Sequence, residues 1–219
     1  MPQVKKEEVR QAILAAAFDL FCRKGYTATT MAELARTAGM TVANIYIYFD
    51  SKLLIFYEIY TPWLLARIDL LRESVRKFPT ARTRLQRIFL GLWEDIPAAD
   101  HSFANAMIEA LSTAPRQTLK PNNLLSQCES AITELILECL PPERIHIAQN
   151  DLLAHVLWMA YDGFAINGRM DDKRDMDAIA NLMTDLLLGA SASDLPETSP
   201  KTRNGSTKKS SDRLNKPDR

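Results

Sequence analysis

Glycine, cysteine and net charge are scarce in this chain, and each scarcity removes a class of protein. Seven glycines in 219 residues, with almost no alternating runs of β-branched residues, leave little material for a sheet. The repeated 3.6-residue apolar spacing points to an all-α protein. Three cysteines, Cys22, Cys128 and Cys139, are too few for a disulfide framework and lack the close pairing of a zinc site. They read as reduced, buried small hydrophobes; Cys128 and Cys139 share nearly one helix face, which leaves a redox sensor as the alternative. No uninterrupted apolar run reaches the ~18 to 20 residues that cross a bilayer, and the start Met-Pro-Gln-Val-Lys-Lys-Glu-Glu lacks the apolar core of a signal peptide. A cytoplasmic protein without membrane association is expected. Phosphate-cradling glycine loops, Gly-x-Ser-x-Gly and His-Glu-x-x-His are all missing. His101, His146 and His155 are scattered, and Glu94 with Asp95 reads as an exposed acidic helix end. The expectation is therefore no enzyme, no cofactor and no metal site.

What the chain does contain is concentrated between residues 30 and 52. Thr30 and Glu33 stand at capping-box spacing, which predicts a helix start near Met31. Leu34, Ala35 and Ala38 form its small apolar face, and Gly39 supplies the left-handed conformation that ends it and turns the chain sharply. Thr41 is the N-cap of a second short helix from about Val42 to Tyr48. Ile45 and Phe49, four apart, face inward, leaving Thr41, Val42, Asn44, Tyr46, Ile47 and Tyr48 for solvent or a partner. This is a helix-turn-helix. Asn can bond base edges, threonine and small apolar groups touch thymine methyls, and tyrosine hydroxyls reach phosphates. Packing between helices is the competing reading for Tyr46 and Tyr48.

A balance of 27 basic and 27 acidic residues suits DNA only if charge is favourable locally. Lys5, Lys6, Arg10, Arg36 and Lys52 are expected to gather on the DNA side, with Glu94, Asp95 and Asp100 remote from it.

Residues 25–39, from Gly25 and Tyr26 through Thr30, Glu33 and Ala35 to Gly39, run into Ile45, Tyr46, Ile47, Tyr48, Phe49, Asp50, Ser51 and Lys52. This stretch resembles the amino-terminal domain of TetR/AcrR-type transcriptional regulators. The resemblance covers roughly the first 60 residues, including a preceding helix that buries Ile13, Ala17, Phe18 and Phe21 and ends at Gly25. It implies that Thr30 opens the helix touching the DNA backbone, that Thr41, Val42, Ala43 and Asn44 begin the recognition helix, and that Tyr46, Tyr48 and Lys52 hold phosphates. Val42 and Ile47 stand where relatives commonly carry polar residues.

Beyond Phe49 a helix capped by Asp50 or Ser51 is expected to kink or restart at Pro62 and to continue to about Phe78. Further helices are expected near 80–95, 102–113, 122–140, 147–168 and 175–188, broken at Pro97, Pro115, Pro121 and Pro141-Pro142. Three segments follow: a helix-turn-helix DNA-binding domain over 6–66, a helical ligand-binding and dimerisation bundle over 67–190, and a disordered tail over 191–219. The tail is rich in Ser, Pro, Asn and Lys and too apolar-poor to offset its ordering entropy. Its basic residues are either a solvated run or a source of nonspecific DNA attraction.

The last two helices carry wide apolar stripes, with Leu153, Val156, Leu157 and Phe164 on one and Leu182 and Leu186 on the other. They pack inside the monomer or against a second copy; the resemblance implies a homodimer, and a palindromic operator in double-stranded DNA requires the same twofold symmetry. Phe89, Trp93, Phe103, Met107, Trp158 and Met159 are large side chains suited to plain core or to a cavity for a small hydrophobic effector. Glu109 and His155 are the polar groups that would orient it. The expected function is a homodimeric repressor released from its operator by ligand. The alternative is a helical scaffold or ligand carrier whose helix-turn-helix contacts protein.

Overall fold

Gly25 interrupts the first helix. Its backbone lies at φ 80°, ψ 172°, a region that glycine alone enters freely, so α1 (Pro2–Ala28) is helical up to that residue and then turns towards the next element. The computed structural model describes residues 2–114, 123–167 and 174–189. The expected breaks at Pro115 and Pro121, the 191–219 tail and the Lys5 side chain lie outside those described residues.

Three short polar side chains then start three helices by one mechanism, a hydroxyl accepting an otherwise orphaned amide. Thr30 Oγ1 accepts from Glu33 N at 3.2 Å to open α2 (Met31–Thr37). Thr41 Oγ1 accepts from Asn44 N at 3.2 Å to open α3 (Val42–Tyr46), and Ser51 Oγ accepts from Leu54 N at 3.1 Å to open α4 (Lys52–Val75). Between α2 and α3, Gly39 sits at φ 69° with open space around it. The remaining elements are α5 (Ala81–Leu90), a π turn (Gly91–Asp95), α6 (Ile96–Ser102), α7 (Ala104–Thr113), α8 (Leu124–Leu137), a 3₁₀ turn (Pro142–Ala148), α9 (Leu152–Asn167) and α10 (Met176–Leu188). No strand occurs among the described residues, so the protein is all-α.

Two prolines behave differently from the sequence expectation. α4 neither stops nor restarts at Pro62. The ring lies on the exposed side of the helix, where water can serve the carbonyl that loses its amide donor. Pro97 is likewise carried inside a helix, because the π turn widens the chain just before it and the proline occupies the first turn of α6. The break comes later: Asp100, His101 and Ser102 all have positive φ.

Aromatic packing joins the head to the bundle. Phe21 of α1 and Phe56 of α4 meet edge to face with centroids 5.5 Å apart, and Phe103, at the start of α7, lies 5.7 Å from Phe56 and 5.1 Å from Phe18. α10 packs on α5, where Arg82 pairs with the mostly buried Asp185. Cys128 and Cys139 are buried and Cys22 half-buried; burial pushes their thiols up, to about 12, about 11 and about 11 respectively. Such thiols are poor nucleophiles, which favours packing over redox sensing.

Candidate functional site

α3 is fastened from beneath and open above. Ile45 and Phe49 are sealed from solvent, while Thr41, Ala43 and Asn44 are exposed and Val42 is half-buried. Tyr46 keeps 50 % of its surface and Ile47 69 % in water. Tyr48 is turned partly back against the core. The two tyrosines therefore divide the readings left open by the sequence, with Tyr46 presented outward and Tyr48 partly packed. Thr30 is exposed beside the start of α2.

The charges around this face are mostly engaged. Arg10 pairs with Glu58 and lies 5.1 Å from the centre of the Phe49 ring. Lys24 pairs with Glu33, and that hydrogen bond holds the Glu33 carboxyl below its ordinary value. Lys6 and Arg36 face solvent, Arg36 with 80 % of its side chain exposed. The expected basic cluster is thus thinner than its residue count suggests.

Lys52 shows the reason. Its Nζ donates to Tyr26 O and Thr29 O, both at 2.8 Å, and stands 4.1 Å from the Tyr26 ring centre. Burial pushes the ammonium below the usual lysine value, opposed by the nearby Glu109 charge. The lysine caps the carbonyls where α1 ends and so fixes the start of α4 against the head. Glu109 of α7 reaches the same joint: Oε2 accepts from Thr27 N at 2.9 Å. A Cβ at Gly25 would stand 2.7 Å from that oxygen, so the glycine makes room for the carboxylate. Thr29, fully buried, donates its hydroxyl to Gly25 O at 2.8 Å. One joint therefore gathers the end of α1, the start of α4 and the middle of α7.

A cavity of about 230 Å³ opens between α4, α7, α8 and α9. Met107, Trp158 and Met159 line it, as do Tyr57, Tyr60, Leu64 and Asp162. Other residues expected there sit elsewhere. Phe89 and Trp93 stack with centroids 4.9 Å apart, and Trp93 Nε1 donates to Leu157 O at 3.1 Å, which makes them core. Phe103 is spent in the aromatic joint. Glu109 serves the α1 end, and His155 faces outward with Nδ1 2.6 Å from Glu129 Oε1. Sequence reading misses Tyr57, Tyr60 and Asp162, although the signal is present: Tyr57 and Tyr60 are three apart, Trp158 and Asp162 four apart, the spacings that share a helix face.

The stripes on α9 and α10 are also divided. Val156, Leu182 and Leu186 are 60 %, 51 % and 59 % exposed. Leu157 is buried within the monomer, Leu153 is half-buried, and half-buried Phe164 lies 5.3 Å from Trp93.

Residues 13–59 match the family model described as bacterial regulatory proteins, tetR family. The chain is 30 % identical over 129 residues to the HTH-type transcriptional regulator RutR of Escherichia coli O157:H7, covering 57 % of each. The amino-terminal head therefore belongs to the tetR family of bacterial regulatory proteins. The chain is also 26 % identical over 138 residues to the HTH-type transcriptional activator FasR of Mycolicibacterium smegmatis, and spans 61 % of that protein's length. Its fold is shared with the regulator FadR from Bacillus subtilis in complex with stearoyl-CoA, at TM-score 0.54 and 19 % identity over 83 % of this chain and 98 % of that one. Among the described residues, no helix is long and apolar enough to cross a membrane.

Proposed function

We propose that the chain is a cytoplasmic, homodimeric transcriptional repressor that reads a palindromic operator in double-stranded DNA and leaves it when a small hydrophobic ligand binds. The observation that carries this reading is the α3 surface, where Thr41, Ala43, Asn44, Tyr46 and Ile47 stand exposed over the buried Ile45 and Phe49. Leaving Tyr46 and Ile47 in water forgoes apolar burial, and a major groove offers thymine methyls, base edges and phosphates to just such a set. Arg36 and Thr30 of the neighbouring α2 are exposed as well. Residues 6–66 form the reading head in this scheme, and residues 67–190 the regulatory and dimerising part.

The ligand enters the cavity between α4, α7, α8 and α9. Its volume of about 230 Å³ falls below the roughly 300–1,000 Å³ of ordinary ligand pockets, so an occupant pushes its walls apart. Two of those walls reach the α1 joint, α4 through Lys52 and α7 through Glu109. Movement of either tilts the head, changes the separation of the two recognition helices, and favours the state that fits half-sites about 34–36 Å apart poorly. Pairing of the exposed α9 and α10 side chains supplies the twofold axis.

Selection of binding sequences from a random duplex library, at fixed salt and with Tyr46→Ala as control, tests the proposal. A palindromic consensus bound at least about tenfold more weakly by the variant is expected. Absence of enrichment with and without ligands would move the weight to the scaffold or carrier reading.

A further inference from the structure

Asp162 lines the cavity, and among the described residues no opposite charge lines it alongside. Among the described residues its carboxylate has no hydrogen-bond or ion-pair partner, and no lysine or arginine lines the cavity with it. The other walls are aromatic or aliphatic: the rings of Tyr57, Tyr60 and Trp158, with Met107, Leu64 and leucines of α7 and α8. These rings are held in place. Trp158 stacks on Tyr161 with centroids 4.5 Å apart, and Tyr161 shares a buried hydroxyl contact of 3.3 Å with Tyr60. The larger cleft of about 420 Å³ between α4 and α8 differs in kind, because its Asp69, Arg72 and Glu134 already pair with one another.

An uncompensated carboxylate beside apolar walls is unfavourable until it meets a positive charge. Burial accordingly pushes the Asp162 carboxyl above its ordinary value. Aromatic faces attract cations through the same negative potential. An anionic ligand, such as a fatty acid or its thioester with a phosphorylated carrier, would instead bring negative charge against Asp162, with no basic residue among the described ones lining the cavity to receive it.

We propose that the cavity between α4, α7, α8 and α9 takes a lipophilic cation, an aromatic or alkyl amine or quaternary ammonium, with Asp162 as its counter-ion and the rings of Tyr57, Tyr60 and Trp158 around the charged head. The proposal rests on the reading of this cavity as the effector site. It narrows a small hydrophobic effector to one of defined charge.

Three probes of similar size separate the charge states: benzyltrimethylammonium, its neutral carbon isostere neopentylbenzene, and the anion phenylacetate. Binding is read by quenching of tryptophan fluorescence and by calorimetry on the full-length protein; release from DNA is read separately on the selected operator. The cation is expected to bind at least about tenfold more tightly than the isostere, with phenylacetate weakest. Asp162→Asn should remove that preference while leaving the isostere's affinity within about twofold. Equal binding of cation and isostere, preference for phenylacetate, or no binding by any probe would overturn the cation assignment, and these comparisons need no variant. Asp162-dependent cation binding that leaves operator affinity unchanged would uphold the ligand class and refute the effector reading. Release of DNA by the isostere or the anion alone would do the reverse.

Discussion

Asp100 holds its place in left-handed backbone, φ 48°, by accepting from Trp63 Nε1 at 2.6 Å and pairing with Arg67. Burial acts to raise its pKa, but the hydrogen bonds from Trp63 and Arg67 outweigh it and hold the carboxyl below the ordinary value. A depressed folded-state pKa means that the stabilisation is present above the unfolded value of about 3.9 and is lost as pH falls through the lower folded value. Arg67 and Asp100 keep 33 % and 29 % of their side-chain surface in water, so screening limits the pair to about 1 kcal/mol or less. Asp100→Asn retains an acceptor for Trp63 and tolerates the same backbone while removing the charge. We expect the variant to melt slightly below the wild type at pH 7, and the gap to close below about pH 4. Thermal scans of both proteins across that range check it; a constant gap would show that the charge contributes nothing.

At the scale of elements, the start of α4 is where the DNA-reading head is set. Had Lys52 held a phosphate, its loss would remove about 0.9 from the slope of log affinity against log salt. With Nζ donating to Tyr26 O and Thr29 O, the structure supports a positioning role instead. Lys52→Met is therefore expected to cost about 1–3 kcal/mol of stability, because it orphans carbonyl acceptors. Operator affinity should fall while the salt slope stays unchanged. Denaturant titration and binding isotherms at several salt concentrations separate the two roles, and a slope reduced by about one with stability intact would restore the phosphate contact. The capping hydroxyls of Thr30 and Thr41 were legible from sequence, and Ser51 as one of two candidates beside Asp50, because each acts on an amide three residues away. The direction of Lys52 was not, since its partners lie 23 and 26 residues back along the chain. Pro62 and Pro97 mislead for a related reason. Whether proline breaks a helix depends on what stands opposite the missing amide, and that is water at Pro62 and a widened π turn at Pro97.

For the whole molecule, the apolar side chains left outside the monomer are the strongest argument for a partner. Val156 on α9 and Leu186 on α10 keep 60 % and 59 % of their surface exposed, so charging both should disturb assembly more than folding. Val156→Glu combined with Leu186→Glu is expected to convert a dimer to a monomer of 24.7 kDa in light scattering, with helical circular dichroism unchanged. Binding to the full palindrome should be lost with it. A double variant that remains dimeric would place the twofold contact elsewhere. Formal neutrality, with 27 charges of each sign, is no obstacle at this scale, since Arg10 and Lys24 are matched by acids within the head and Arg36 and Lys6 remain outward.

The sequence by itself determined the helical class, the helix-turn-helix and, Val42 and Tyr48 apart, the side of it that faces outward, because these follow from capping distances and from apolar spacings of three and four residues. Tertiary structure alone decided that Leu157 is core while neighbouring Val156 is surface, that Glu109 serves the α1 joint rather than the cavity, and that Asp162 lines a cavity with aromatic rings and, among the described residues, no partner. Those outcomes depend on how helices distant in the sequence cross, and the periodicity of one helix carries no information about which neighbour covers it.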